Sequence, residues 1–156
     1  MRIVLQRVER ASVRVEGELV AQIGRGVLAL VGIQDGDGAE TVVAAAGKMA
    51  GLRLFADQAG KMNLDAAGVH GAFLIVSQFT LASSLEKGRR PSFDGAAPPA
   101  VAQPLVEQLV LELRRQGFEV AAGRFGAHMA VELVNDGPVT FVLDLSARGA
   151  SAGVPA

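Results

Sequence analysis

The sequence contains no cysteine, which excludes disulfides, thiolate metal sites and cysteine nucleophiles. Its two histidines, His70 and His128, lie far apart and form neither an H-x-H nor an H-E-x-x-H pattern, so we expect no metal site and no cofactor. The chain opens with MRIVLQRVER, in which charged residues interrupt the apolar runs, and no apolar run reaches 18 residues. We therefore expect neither a signal peptide nor a membrane-spanning segment. The formal net charge is only −1, which argues against a general nucleic-acid coat but leaves room for a local basic patch. These features favour a cytoplasmic protein without a membrane partner.

The composition is that of a chain that folds. Of the 156 residues, 50% are hydrophobic and 20% are charged, so burial of apolar surface can offset the conformational entropy lost on folding. A chain of this length typically makes one domain. We expect that domain to span residues 1–145, because residues 146–156 are nearly all small and are expected to form a disordered tail.

The first third of the chain predicts three strands. Apolar and polar side chains alternate over residues 11–16, as in a half-buried strand. Gly17-Glu18 then predicts a type II′ hairpin turn leading to a return strand at Leu19–Ile23. The continuous apolar run Val27–Ile33 predicts a strand that is covered on both faces.

Two helices are predicted further along the chain. Asp37 and Glu40 have the spacing of a capping box and predict the start of a helix over residues 39–51. Pro98-Pro99 predicts the start of the second helix, which ends before Gly117. The remaining strands are predicted at Leu52–Phe55, Lys61–Leu64, Phe73–Val76, Phe118–Ala122, His128–Val134 and Val139–Leu145. This order predicts an α+β fold: one curved, mostly antiparallel, barrel-like sheet with two helices in a single domain.

Two polar segments are the candidates for chemistry, and each also has a structural explanation. Ser77-Gln78-Phe79-Thr80 follows an apolar strand, so its polarity is compatible with a strand that leaves the core. Asn135-Asp136-Gly137-Pro138-Val139-Thr140 is compatible with an ordinary hairpin turn. No G-x-S-x-G nucleophile elbow is present and no base stands beside Ser77. These residues alone therefore do not select an enzyme class.

Several motifs in order make the chain resemble the D-aminoacyl-tRNA deacylases of the bacterial and eukaryotic type over residues 1–145. The motifs are Met1-Arg2 with Gln6-Arg7-Val8, Gly60-Lys61-Met62-Asn63-Leu64, Ser77-Gln78-Phe79-Thr80-Leu81, Lys87-Gly88-Arg89-Arg90-Pro91-Ser92-Phe93, Gly123-Arg124-Phe125-Gly126-Ala127 and Asn135-Asp136-Gly137-Pro138-Val139-Thr140. Two positions depart from the family pattern: Ala82 stands where Tyr is frequent, and Ser84 where Asp is frequent.

The resemblance implies a homodimer that hydrolyses the ester joining a D-amino acid, or mischarged glycine, to the 3′ end of tRNA. The partner is then tRNA, and DNA is not expected to bind. The implied catalytic segment comprises Ser77, Gln78, Phe79 and Thr80, with backbone N–H groups around Phe79-Thr80 stabilising the oxyanion and the terminal ribose 2′-hydroxyl helping to activate water. A nucleophilic role of the Thr80 hydroxyl remains the alternative. Gly137 and Pro138, joined by a cis peptide bond, are implied to enter the partner subunit's pocket and to reject L-amino acids.

A basic cluster stands on the long loop predicted between Ser83 and Pro99. Lys87, Arg89 and Arg90 are candidates for contact with acceptor-stem phosphates, which would position the RNA without reading its sequence. A solvated run of charges is the alternative. Two other functions stay open at this point: a non-catalytic protein that binds RNA ends, and a generic small-molecule esterase or peptidase.

Overall fold

The computed structural model describes residues 1–85 and 89–145. Within these ranges the chain forms eight strands and two α-helices: β1 (Arg2–Val15), β2 (Glu18–Ile23), β3 (Gly26–Gly32), α1 (Ala39–Gly51), β4 (Phe55–Ala56), β5 (Met62–Leu64), β6 (Ala72–Ser77), α2 (Pro99–Arg115), β7 (Val120–Ala122) and β8 (Ala130–Asp144). Two short 3₁₀ turns lie at Ala67–Val69 and Phe79–Ala82. The tail predicted at 146–156 lies outside the described residues.

The main sheet has the strand order β2-β1-β3-β6-β7, and β8 pairs with β1. Strand β1 is antiparallel to three partners, which its length of 14 residues allows. Its first half lies between β3 and β8, and its second half lies between β2 and β8. The pairings of β3 with β6 and of β6 with β7 are parallel. The predicted α+β class, with a curved, mostly antiparallel, barrel-like sheet and two helices, is confirmed.

The core has two parts on opposite faces of the sheet. One part lies between the sheet and the two helices and includes Phe73 and Leu109, both fully buried. The other fills the inside of the curved sheet and includes Val13 and Leu74. Strand β3 contributes alternate residues to the two parts, so it is covered on both faces, as the sequence predicted. The end of this strand therefore has a fixed position, and the candidate site is built upon it.

Both predicted helices are confirmed, but the predicted start signal of the first helix is wrong. Helix α1 has Gly38 as its N-cap, and the Gly38 N–H donates to the Thr41 hydroxyl at 3.3 Å. The Asp37 carboxylate instead accepts hydrogen bonds from the Met1 ammonium and from the Gln34 backbone N–H, each at 2.7 Å. The Met1 amino group is buried, and a buried charge requires a counter-charge. Asp37 therefore balances the N-terminus rather than capping the helix.

The first hairpin turn also differs from its prediction. Its central residues are Glu16 and Gly17, with φ values of 52° and 83°, instead of Gly17 and Glu18. Two successive residues with positive φ are the mark of a type I′ turn, whose twist matches that of the flanking strands. Strand β2 consequently starts at Glu18, one residue before the predicted start.

The third correction concerns residues 128–145. The sequence predicted two strands joined by a hairpin turn, whereas β8 is one strand of 15 residues that runs antiparallel to β1. Between the pairs Gln6↔Thr140 and Val8↔Asn135, only Arg7 lies on β1 while residues 136–139 lie on β8. We call residues 136–139 the β8 bulge. A bulge accommodates extra residues without ending the strand, and here it places Gly137 and Pro138 at the surface.

The lengths of the helices can be compared with the length needed to cross a membrane. Among the described residues, no helix is both long enough and apolar enough to cross a membrane. The strands predicted at Leu52–Phe55 and Lys61–Leu64 correspond to the shorter β4 and β5, which pair antiparallel, and β4 begins three residues later than predicted.

Candidate active site

The segment from Ser77 to Thr80 is an ordered turn on the edge of the sheet. Strand β6 ends at Ser77, and the Gln78 backbone N–H donates to the Val31 carbonyl of β3 at 2.8 Å. The chain then enters the Phe79–Ala82 turn, which is closed by hydrogen bonds from Leu81 N–H to the Gln78 carbonyl and from Ser83 N–H to the Thr80 carbonyl. The segment does leave the core, as the structural explanation required. Its backbone is nevertheless fixed at both ends.

Two neighbouring backbone donors are free at the start of this turn. The first N–H groups of a 3₁₀ turn have no partner inside the turn. Among the described residues no acceptor is found for the N–H groups of Phe79 and Thr80. The turn therefore presents two fixed donors to the space beside it, which suits an oxygen atom that carries developing negative charge.

The side chains of the turn provide no strong base. The Gln78 side-chain amide donates a hydrogen bond to the Thr80 hydroxyl, and an amide cannot take up the proton of a nucleophile at neutral pH. No histidine, carboxylate or lysine within residues 1–85 and 89–145 is hydrogen-bonded to Thr80. This arrangement disfavours Thr80 as a nucleophile, which needs an adjacent base.

The turn rests directly on the end of the sheet. A Cβ at position 32 would lie 2.8 Å from the Leu81 Cβ and 3.0 Å from the Gln78 carbonyl oxygen, so glycine is needed at Gly32 for this close packing. Arg2, which faces Gly32 across β1 and β3, donates to the Asp144 carboxylate at 2.8 and 3.0 Å and to the Leu81 carbonyl at 3.4 Å. Sequence reasoning gave neither Arg2 nor Gly32 a role, because each works through a contact distant along the chain.

A cavity of about 510 Å³ opens beside the turn. It lies between the ends of β3 and β6, the first turns of α2 and residues 125–129. The lining residues are Val31, Ile33, Val76, Ser77, Gln78, Phe79, Ala97, Pro99, Ala102, Val106, Phe125, Gly126, Ala127, His128, Met129 and Val131. The walls are mainly apolar, with polar groups concentrated at Ser77, Gln78 and His128. Sequence analysis assigned no role to either wall: the motif at 123–127 could have indicated one of them, whereas the contribution of α2 carried no recognisable signal.

Gly137 and Pro138 lie apart from this cavity within the chain. Their peptide bond is cis, as the resemblance implied, and both residues are exposed on the β8 bulge. Neither lines the cavity of its own chain. The hairpin-turn explanation of this segment is wrong, because the strand continues through it.

Two side chains hold the β8 bulge at its ends. The guanidinium of Arg7, 13% exposed, bonds to the Asp136 carboxylate at 3.0 Å and to the Asp136 carbonyl at 2.9 Å. The Asn135 side-chain amide donates to the Arg7 carbonyl at 2.9 Å and to the Val139 carbonyl at 3.0 Å. A Cβ on Gly137 would overlap the Asn135 side-chain oxygen and the Val139 backbone nitrogen. The exposed backbone of Gly137 and Pro138 is therefore tethered, and only glycine fits at 137.

The basic cluster is described only in part. Arg89 and Arg90 are exposed, and neither forms an ion pair with the rest of the described chain, whereas Lys87 lies outside the described residues. On the same loop, the Phe93 ring lies 5.2 Å from the Phe79 ring, centroid to centroid. Across the part of the chain that the structure describes, no group of three or more His, Asp or Glu side chains is placed to hold a metal ion.

Comparisons with known proteins identify the family of this chain. The family model described as D-Tyr-tRNA(Tyr) deacylase matches residues 4–144. D-aminoacyl-tRNA deacylase of Geobacter sulfurreducens is 52% identical over 151 residues, which cover 97% of this chain and 99% of the relative; that of Thermomicrobium roseum is 56% identical over 144 residues, covering 92% and 94%. A solved structure described as c-Myc DNA Unwinding Element Binding Protein is 38% identical, with a TM-score of 0.89 and coverage of 94% of this chain and 100% of that one. The chain belongs to the D-Tyr-tRNA(Tyr) deacylase family.

Proposed function

We propose that this protein hydrolyses the ester between a D-amino acid, or mischarged glycine, and the 3′ end of tRNA, and that it rejects L-aminoacyl-tRNA. Membership of the family supports the reaction. The observation that carries the proposal is the pair of free N–H groups on Phe79, which lines the cavity, and on the adjoining Thr80. The cavity is large enough for an aminoacylated nucleoside. The enzyme works in chiral proofreading of translation, in the cytoplasm, and has no DNA or membrane partner.

The chemistry needs little from the side chains. A water oxygen attacks the ester carbonyl, and the carbonyl oxygen becomes an oxyanion that the Phe79 and Thr80 N–H groups stabilise. Such a donor contributes roughly 3–4 kcal/mol to transition-state stabilisation. The bond between the carbonyl carbon and the ribose oxygen then breaks, and that oxygen takes a proton, leaving a free amino acid and tRNA. The terminal ribose 2′-hydroxyl helps to activate the water, which fits a turn without a base.

Gln78 and Ser77 orient the substrate in this scheme. The Gln78 side chain is half-buried at the cavity wall and is held by its hydrogen bond to Thr80, a position from which it can orient the ribose or the adenine. Ser77 holds the end of β6 against the cavity. Both residues position the ester relative to the free N–H groups.

Rejection of L-amino acids is assigned to Gly137 and Pro138 acting across a homodimer. Both residues are exposed and lie outside the cavity of their own chain, while Arg7 and Asn135 keep their backbone in place. A rigid backbone wall placed where an L side chain must point excludes every L substrate whatever its size. Glycine has no side chain to clash, so the same wall admits it.

The basic loop grips the tRNA by charge. Arg89 and Arg90 are exposed cations without ion-pair partners among the described residues, and Lys87 precedes them. Contacts of this kind with phosphates position the RNA and are independent of its sequence. The low net charge of −1 suits a protein that holds only one end of the tRNA.

A turnover assay with D-aminoacyl-tRNA tests the proposal against its alternative. The alternative is a non-catalytic nucleic-acid-binding protein, which the description of the 38% identical solved structure favours. A deacylase releases many amino acids per protein molecule, whereas a binding protein protects the ester. Protection of the ester at protein excess would therefore contradict the proposed reaction.

A further inference from the structure

An exposed aromatic pair stands at the mouth of the cavity. Phe79 is 61% exposed and Phe93 is 43% exposed, although apolar residues of this size are usually buried. Their centroids are 5.2 Å apart with an angle of 51° between the ring planes. Phe79 also lines the cavity, whereas Phe93 does not. The pair therefore extends from the cavity edge to the outer surface.

The Phe93 ring is held in place by its own loop. The backbones of Ser84 and Ser92 exchange hydrogen bonds at 2.8 and 3.0 Å, and the Ala96 N–H donates to the Phe93 carbonyl at 2.9 Å. Asp94, the acidic residue next to Phe93 in sequence, accepts a hydrogen bond from the Ser92 hydroxyl at 2.7 Å. Its carboxylate is therefore held by the loop. An exposed ring on a fixed loop is preorganised for contact with a flat partner.

The surroundings of the pair favour a nucleic-acid base as that partner. Arg89 and Arg90 lie on the same loop and are exposed without ion-pair partners among the described residues. An exposed aromatic ring and free cations on one loop are a combination that binds single-stranded nucleic acid, because bases stack on the ring and phosphates contact the cations. An apolar protein partner would leave these two charges unpaired.

We propose that Phe79 and Phe93 form a stacking subsite for the base that precedes the terminal adenosine of tRNA. This inference rests on the proposed function: the ester on the terminal ribose must reach the N–H groups of Phe79 and Thr80, so the terminal nucleoside fills the cavity. The preceding nucleotide then lies just outside, where Phe93 is exposed. Arg89 and Arg90 are placed along the loop for the phosphates that follow.

The test is a cycle between a protein variant and a modified substrate. We would measure kcat/KM of wild type, Phe93→Leu and Phe93→Trp on D-aminoacyl-tRNA with an intact or an abasic preceding nucleotide. Stacking of one base corresponds to a factor of about 5 to 150. Wild type and Phe93→Trp should lose this factor when the base is removed. Phe93→Leu, which keeps an apolar side chain, should show the loss on intact substrate and no further loss on abasic substrate.

Other results would overturn the subsite. Equal activity of wild type on the two substrates would do so, and so would a Phe93→Leu defect that multiplies with removal of the base. Failure of wild type on the intact substrate would instead contradict the proposed function. The stacking itself can be measured by binding, with a tRNA that carries 2-aminopurine in place of the preceding base. The fluorescence of this base should fall when the tRNA binds wild type and should not fall when it binds Phe93→Leu. Unquenched fluorescence on bound wild type would refute the subsite independently of catalysis.

Discussion

Replacement of Gly137 by alanine tests how the β8 bulge is held. The added Cβ would overlap the Asn135 side-chain oxygen and the Val139 nitrogen, so the Asn135 side chain must move away. That movement breaks the two hydrogen bonds that Asn135 donates, at 2.9 and 3.0 Å. With about 0.5–1.5 kcal/mol for each bond, the loss of these two bonds alone should lower the free energy of unfolding by about 1–3 kcal/mol. The overlap with the Val139 backbone nitrogen adds to this loss.

The corresponding fall in Tm is roughly 2 to 12 °C for a domain of this size. Gly24→Ala is the matched control, since nothing lies within 4 Å of a Cβ at position 24. The double variant Gly137→Ala with Asn135→Ala should be more stable than the sum of the single effects predicts, because alanine at 135 removes one of the two clashes.

The same substitution should change selectivity. If the backbone of Gly137 and Pro138 forms the wall in the partner's pocket, its displacement should lower the ratio of D- to L-aminoacyl-tRNA hydrolysis. The assay is release of amino acid from matched D- and L-aminoacyl-tRNA at a temperature where the variant is folded. A Gly137→Ala protein with the Tm and the D-to-L ratio of Gly24→Ala would refute both the tether and the wall.

Three further predictions follow from the turn and the loop. Thr80→Ala should keep activity within about tenfold, or 1.4 kcal/mol of barrier, because the backbone N–H groups remain; a thousandfold loss in a folded protein would make the hydroxyl essential. Gly32→Ala should lower kcat more than it raises KM, because its Cβ meets Leu81 and Gln78 under the turn. If Gly32→Ala had the same kcat and KM as the control variant Gly24→Ala, this prediction would be wrong. Replacing Arg89 and Arg90 with Gln should flatten the salt dependence of tRNA binding by up to about 0.7–0.9 per lost phosphate contact, with D-to-L selectivity unchanged, and an unaltered slope would return these residues to a solvated surface.

Local patterns in the sequence were sufficient to predict the architecture. The period of the apolar residues predicted α1 with its observed bounds, and the run Val27–Ile33 was correctly interpreted as a strand covered on both faces. These features depend on residues close together in the chain. The turn at Glu16-Gly17 was missed by one residue, because several registers of a Gly-containing hairpin fit the same sequence.

The errors and omissions arose where distant segments meet. Asp37 was assigned to a helix cap because its partner, the Met1 ammonium, lies 36 residues away. Residues 136–139 resembled a turn because proline and glycine favour turns, but pairing with β1 keeps the strand continuous through a bulge. Arg7 appeared only as part of a motif, since its bond to Asp136 spans 129 positions. The site residues were predicted from the family resemblance, whereas the cavity beside them was visible only in the folded structure.

Release of amino acid from one tRNA charged in turn with a D-amino acid, its L enantiomer and glycine tests the central claim most directly. The rates would be measured at catalytic protein concentration, with a tRNA that ends in 2′-deoxyribose as a fourth substrate. The account predicts multiple turnovers with the D-aminoacyl and glycyl esters, none with the L ester, and a severe loss of rate with the deoxyribose. Equal hydrolysis of the D and L esters, or protection of all of them, would contradict it.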